Sequence, residues 1–209
     1  MNPLFRTKEF INKHSLLQSL YDISKSLVRI VPFYVMEEGL GSLTHSAISI
    51  KMNADEFNLL LLGSLDMKQV SETPGVKETE EILLERLERG WLCLGLMCGT
   101  RIIAHMWCNT RECDSNLYPF LLDHDEAYLS NALTVEEYRG RGIAPYLRLQ
   151  FYKHLHGMGC YKIYSITEYF NISAMRFKQK LGAKPILLLV KVYFLNKYSV
   201  NILLKRYKK

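Results

Sequence analysis

Between Tyr138 and Pro145 the chain reads YRGRGIAP. Two arginines alternate with two glycines, and a proline follows. Each type has a use toward phosphate. Glycine reaches backbone angles closed to other residues, so neighbouring N–H groups can turn toward one point. Arg139 and Arg141 add full positive charges. A helix opening around Pro145 adds a partial one, and proline loses nothing there because a first-turn N–H has no helical partner. The chemistry predicted is capture of a phosphate-bearing cofactor by Arg139, Gly140, Arg141, Gly142, Ile143 and Ala144. The competing reading is an Arg/Gly-rich surface turn. Other phosphate loops fit less well: GxxxxGK[ST] is absent, and Pro145 stands where the dinucleotide fingerprint needs its third glycine.

The loop gains meaning from the elements around it. Glu126–Val135 reads as a strand running into it, and apolar Leu147, Phe151 and Leu155 recur at helical spacing from Ala144 to about His156. Tyr161–Thr167 reads as the next strand, Asn171–Leu181 as a helix stopped by Gly182, and Pro185–Leu195 as a long apolar strand. Upstream, Phe57–Leu62 is strand-like, and Lys77–Arg89 is a charged helix with a stripe of Ile82, Leu83 and Leu87. Trp91–Cys98 and Arg101–Cys108 form a hairpin turned at Gly99-Thr100. Asn109–Asp125 is an acidic loop. Earlier still, Ser15–Val28 has helical spacing, and Val31–Met36 and Ala47–Met52 read as short strands. The order predicts a mixed α/β architecture, a mostly antiparallel central sheet flanked by helices. Residues 1–55 are expected to be a helical and strand extension packed on a core domain of residues 56–209.

Composition bounds the alternatives. The 209 residues are 48% hydrophobic and 23% charged, with a net charge of +6. That composition supports a packed core, and its basic balance suits a polyanionic cofactor, a nucleic acid or an anionic membrane surface. The five cysteines are odd in number and form no CxxC pair, which argues against a zinc site or a disulfide framework and for a reduced compartment. No metal is expected. The N-terminus lacks the apolar stretch of a signal peptide, and no apolar run approaches ~20 residues. A cytoplasmic location is the default. The basic end, Lys205–Lys209, could dock on a membrane or RNA but reads as a solvated chain end.

Arg139-x-x-Gly142-x-Ala144 resembles the [RQ]-x-x-G-x-[GA] motif of the GCN5-related N-acetyltransferases, GNAT for short. The likeness covers about residues 57–195 as an order of elements. Asn171-x-x-Ala174 followed by Lys180-Leu181-Gly182-Ala183 is similar to the family's signature after its fifth strand, and the Trp91–Cys108 hairpin matches its second and third strands. The resemblance implies that the loop amides hold the pyrophosphate of acetyl-CoA. It implies that the backbone at Leu133, Thr134 and Val135 binds the pantetheine arm and polarises the thioester carbonyl. Asn171 would cap its helix and contact the cofactor.

The resemblance implies an acyl-CoA-dependent N-acyltransferase, most simply one that acetylates a primary amine by direct attack. A carboxylate on the family's fourth or fifth strand often takes the amine's proton, which points to Glu126, with Tyr128 and Ser130 on its face, or to Glu168. Many members carry a tyrosine seven residues after the asparagine as the acid toward the thiolate. Here that position is Lys178, a residue type ordinarily solvated on a helix, and Tyr169 or Tyr164 could substitute. The alternatives are a catalytically idle relative that binds CoA, or an O- or long-chain acyltransferase. The expected partner is a small-molecule amine, with an amino sugar kept in view because FYVMEEGL faintly resembles accessory segments of surface-sugar acetyltransferases. Nucleic acid is not expected, and the chain is read as a monomer or homodimer.

Overall fold

The computed structural model describes residues 28–40, 57–195 and 197–207. The strand expected over 47–52, and the helix expected over 15–28 apart from Val28, lie outside the described residues.

The chain forms strands β1 (Val28–Glu38) and β2 (Phe57–Leu62), helices α1 (Met67–Ser71) and α2 (Glu80–Glu88), and strands β3 (Leu92–Cys98) and β4 (Arg101–Asn109). A small hairpin follows, β5 (Glu112–Cys113) and β6 (Phe120–Leu121). Then come β7 (Glu126–Thr134), α3 (Ile143–Gly157), β8 (Lys162–Glu168), α4 (Ile172–Lys180), β9 (Lys184–Phe194) and β10 (Tyr198–Arg206). Eight strands make one sheet in the order β10-β9-β1-β8-β7-β4-β3-β2. Neighbours run antiparallel except β7 and β8, which are parallel and joined through α3. The fold class read from the order of elements is the one observed.

Two departures matter for the site. The expected strand Val31–Met36 extends to Val28–Glu38 and is wedged between β8 and β9, pairing Phe33–Glu38 with β8 and Val28–Glu37 with β9. The apolar first half of the chain's end also continues the sheet, as β10. Hydrophobic periodicity says that a segment is extended but not which edge it will join.

Burial explains the layers. On one face α3 presses Ile143, Leu147, Phe151, Tyr152 and Leu155 onto Leu96, Ile103, Met106, Ala127, Leu129 and Ile163. On the other, α1 and α2 bring Met67, Val70 and Leu83 against Trp91, Ile102 and Trp107, whose two indoles meet edge-on at 6.4 Å.

Candidate active site

The central parallel pair is the site's frame. β7 and β8 pair only from Glu126–Lys162 to Tyr128–Tyr164. Beyond that point Leu129–Thr134 and Ile166–Glu168 face one another across a cavity of about 800 Å3. The parting has a local cause in β7. Between the pairs His105–Leu133 and Trp107–Ser130, β4 advances two residues while β7 advances three. The extra residue makes a bulge, and Asn131 sits there at φ +46°, a left-handed conformation that asparagine tolerates better than most residues. Its side-chain amide is tied down by donating to Glu78 Oε1 at 2.7 Å. β7 therefore keeps its ladder to β4, while its other edge, from Leu129 onward, has no strand partner among the described residues.

The cavity's mouth is the Arg139–Ala144 loop. A 3-10 turn at Glu136–Tyr138 ends β7, and Gly140 and Gly142 follow at φ +76° and +81°. Gly142 is the N-cap of α3. The first bond of the helix runs from the Tyr146 N–H to the Gly142 carbonyl, so the amides of Ile143 and Ala144 face outward with no partner in the helix. A Cβ placed on Gly140 would meet nothing within 4 Å, so the space before the loop is open. Arg139 is braced across the loop by its Nε donating to the Thr134 carbonyl at 3.1 Å, and the Arg141 guanidinium lies 5.2 Å from the Tyr138 ring centre. Outward amides, a helix N-terminus and arginines around open space form a seat for an anion. Pro145 stands in the first helical turn, and Asn171 Oδ1 caps α4 by accepting from the Ala174 N–H at 3.0 Å. Gly140, Gly142, Ala144 and Asn171 all line the same cavity.

Of Glu126, Tyr128, Glu168 and Tyr169, one lines the cavity. Glu168 does so, at the end of β8. Glu126 lies where the strands are still paired and accepts from the Tyr164 hydroxyl at 2.8 Å. Tyr128 is buried with Cys113 and Tyr164, beside the β5–β6 hairpin. Tyr169 stacks on Tyr34 at 5.3 Å, outside the cavity wall.

The cavity wall also holds His105, which the sequence did not announce, and Ser130, which shares the face of Glu126. His105 is buried, and its Nδ1 has no hydrogen-bond partner among the described residues; the same holds for Ser130 Oγ. Burial lowers the His105 pKa to about 4, against the opposing pull of Glu78, so the imidazole is neutral near pH 7. Both residues line the cavity, and buried polar atoms without partners are uncommon in folded proteins.

Deeper lies a charged cluster. Arg148, 2% exposed, donates from Nε to Glu38 Oε2 at 2.6 Å and from Nη2 to Oε1 at 2.5 Å. The Tyr152 and Ser165 hydroxyls also bond the Glu38 carboxylate. Lys178 is 5% exposed, a correction to its expected solvation. Its Nζ donates to Ser165 Oγ at 2.7 Å and to Thr167 Oγ1, and lies 3.9 Å from Glu38 Oε1. Burial raises the Glu38 pKa, but Arg148 and Lys178 overcome it and hold the carboxyl at about 2. Burial, then the Arg148 charge, pulls Lys178 down to about 7, with Glu38 opposing. The signal in the sequence was Arg148 itself, a cation beside Leu147 and Phe151 on the apolar face of α3. A charge there needs a buried partner.

Comparison with known proteins bears on the family and the fold. The model of the Acetyltransferase (GNAT) family matches residues 64–183. No protein of curated function matches the chain. Among solved structures, a protein from Novosphingobium aromaticivorans described as a GNAT-family acetyltransferase is 18% identical, with a TM-score of 0.55 over 79% of this chain and 64% of its own. An acetyltransferase from the GNAT family of Colwellia psychrerythraea is 18% identical, with a TM-score of 0.53 over 80% and 56%. A GCN5-related N-acetyltransferase-like protein from Streptococcus suis is 14% identical, with a TM-score of 0.59 over 85% and 66%. The chain thus spans less than two thirds of the length of these structures, and the likeness is one of fold.

Proposed function

The chain belongs to the GNAT acetyltransferase family, and on that premise we propose that it is an acyl-CoA-dependent N-acyltransferase, most simply acetylating a small primary amine by direct attack. The observation that carries this reading is the outward-facing amide seat at Arg139–Ala144, opening onto the gap between the parted strands β7 and β8. Acetyl-CoA supplies the acyl group as an activated thioester.

The residues present fit that co-substrate. The amides of Ile143 and Ala144, the two left-handed glycines and the two arginines suit a pyrophosphate, and the space before Gly140 leaves room for it. The unpartnered edge of β7 from Leu129 to Thr134 offers main-chain groups to an extended, amide-bearing arm, as an added strand would be held. An N–H on that edge would polarise the acyl carbonyl. His105 and Ser130 line the gap, and each carries a buried polar atom without a partner among the described residues, so they are the neutral groups best placed to orient the acceptor amine after a small side-chain adjustment. Glu168, the one candidate base in the wall, takes the amine's proton, directly or through water. Holding donor and acceptor across one gap supplies much of the rate.

Calorimetric titration with acetyl-CoA tests the reading, followed by an assay of free thiol release with a panel of amines that includes amino sugars. Binding with turnover is expected. Absence of binding overturns the assignment, and binding without turnover on any amine favours an idle CoA-binding relative. Gly142→Trp fills the seat and should abolish detectable binding while unfolding stays cooperative.

A further inference from the structure

β8 ends at Glu168, opposite Phe33 of β1. Beyond that point β1 runs on as residues 28–32, paired with β9 at 190–194, which pairs in turn with β10 at 198–202. The three strands stand past the end of β8 as an arm roughly 16 Å long. Directly opposed residues share a face, so the pairing sorts the arm's side chains. One face is largely polar. On it Arg29 and Lys191 lie 4.3 and 5.3 Å from the Tyr193 ring centre, and Asn201 Nδ2 donates to the Asn116 carbonyl at 2.6 Å. The other face is hydrophobic at all nine positions, from Val28, Phe194 and Tyr198 at the tip to Pro32, Val190 and Ile202 at the base. Ile30 is 63% exposed there, Tyr198 61% and Val200 52%. Antiparallel sheets ordinarily turn polar residues to water, so an exposed hydrophobic face marks a contact surface. The surface continues onto the start of α4. Tyr34, next after Pro32 on this face, stacks with Tyr169 at 5.3 Å, and Phe170 and Ile172 beside it are exposed.

Charge decides what the face suits. Residues 184–209 hold seven lysines and arginines and no aspartate or glutamate, so this end alone outweighs the +6 of the whole chain. The basic end, expected as a solvated tail, is strand as far as Arg206. Two of its cations bracket the hydrophobic face. Lys197 lies in the turn from β9 to β10, 5.5 Å from the Tyr198 ring centre. Lys205 shares the row of Leu188 and Tyr34 and lies 4.7 Å from the Tyr207 ring centre. A second copy of the chain would set like charges against each other. RNA rewards cations and stacking aromatics but gains little from Ile30, Val200 and Ile202. An anionic bilayer rewards both kinds of group, aliphatic side chains in the headgroup boundary and lysines on its negative surface. Tyr198, with an apolar ring and a polar tip, suits the boundary itself. We propose that this arm docks the protein on the surface of an anionic lipid bilayer, an inference independent of the function proposed above. Glu168, opposite Phe33 at the arm's base, then brings its part of the cavity wall close to the lipid.

The test uses the full chain and vesicles of phosphatidylcholine, either alone or mixed in equal parts with phosphatidylglycerol. Cosedimentation with the anionic vesicles and not the neutral ones is expected. Ile30→Ser with Val200→Ser keeps every charge, and should weaken that binding roughly tenfold or more. Lys197→Glu with Lys205→Glu keeps every apolar side chain of the face, and should weaken it by a similar factor, roughly tenfold or more. All four positions are exposed, and thermal unfolding checks that both variants fold. Tyr198→Trp gives a further readout, since Trp91 and Trp107 are buried. Its emission should move to the blue on anionic vesicles, and it decides alone if a double variant does not fold. Failure to bind anionic vesicles overturns the proposal, as does an unmoved Tyr198→Trp emission. Binding undiminished by loss of Ile30 and Val200 also overturns it, because a basic protein adsorbs through charge alone. Polyuridylate bound equally by the native protein and the Ile30→Ser, Val200→Ser variant, and displacing both from vesicles, would assign the arm to RNA instead. A dimer in sedimentation velocity that Val200→Ser dissolves would assign it to a second copy.

Discussion

Glu38 and Arg148 stand 110 positions apart in the chain and meet in a two-pronged ion pair, at 2.6 and 2.5 Å, beneath the candidate active site. One comes from β1, the strand wedged between β8 and β9, and the other from the helix that opens at the anion seat. The pair fastens β1 to α3.

Glu38→Gln should therefore destabilise by about 3–5 kcal/mol, because it leaves the Arg148 charge buried and unmatched. Urea unfolding should show a lower midpoint at unchanged slope. Replacing both partners by apolar residues should cost less than the sum of the single changes. The pH dependence follows from the depressed carboxyl. Its contribution is fully present above the unfolded value of ~4.3 and is lost as pH falls through about 2. The acid limb of the stability curve should flatten in Glu38→Gln, and an unaltered limb would show that the pair contributes nothing there.

How much of this was legible beforehand divides along physical lines. The hairpin at Gly99-Thr100, the strand into the loop, the left-handed glycines and the Asn171 cap are local: the residues that decide them sit within a few positions of one another. The wedge of β1 between β8 and β9 is a long-range choice of edge, which alternation leaves undetermined. The same holds for Lys178, since a lysine on a short helix reads as solvated until Glu38, 140 positions earlier, is brought beside it. The parting of β7 from β8 was invisible for another reason, because Asn131 gives no sign in the sequence that it will adopt a left-handed bulge.

Asn171→Ala should cost about 1 kcal/mol, the usual worth of an N-cap side chain, and Asn171→Gly only a few tenths. The Asn171 bond to Ala174 is exposed, so the loss should appear in local hydrogen exchange of the first turn of α4 as well as in the global midpoint. Protection of that turn equal to the native level would show that the cap is dispensable.

Gly95→Ala tests the packing of the outer strands. A Cβ at that position would lie 2.7 Å from Leu62 Cγ and Cδ1, and Leu62 is itself buried against Met67 and Val70. The leucine has little room to retreat, so the substitution should cost about 1–3 kcal/mol. Adding Leu62→Ala should recover part of the clash while opening a cavity of its own. Gly95→Ala at native stability would mean that β2 shifts freely on β3.

Lys178 makes the last prediction, one that needs no substrate. Its folded pKa of about 7 lies below the unfolded value of ~10.4. Between those values the unfolded chain binds a proton that the folded chain does not, so unfolding free energy rises with pH across that window. Below about pH 7 both states are protonated, and the folded protein carries the full cost of a buried ammonium. The rise cannot exceed about 1.4 kcal/mol per pH unit, the value for one proton. Chemical denaturation of the native protein at intervals from pH 7 to pH 10 should show this rise above whatever other groups contribute. Lys178→Met removes the titrating group, so its curve should be flatter than the native one by that single-proton slope. It should also sit higher near pH 7, where the native protein still holds its ammonium out of water. Parallel curves would mean that Lys178 keeps its ordinary proton affinity in the fold, and the surplus charge of the cluster would then have no energetic consequence.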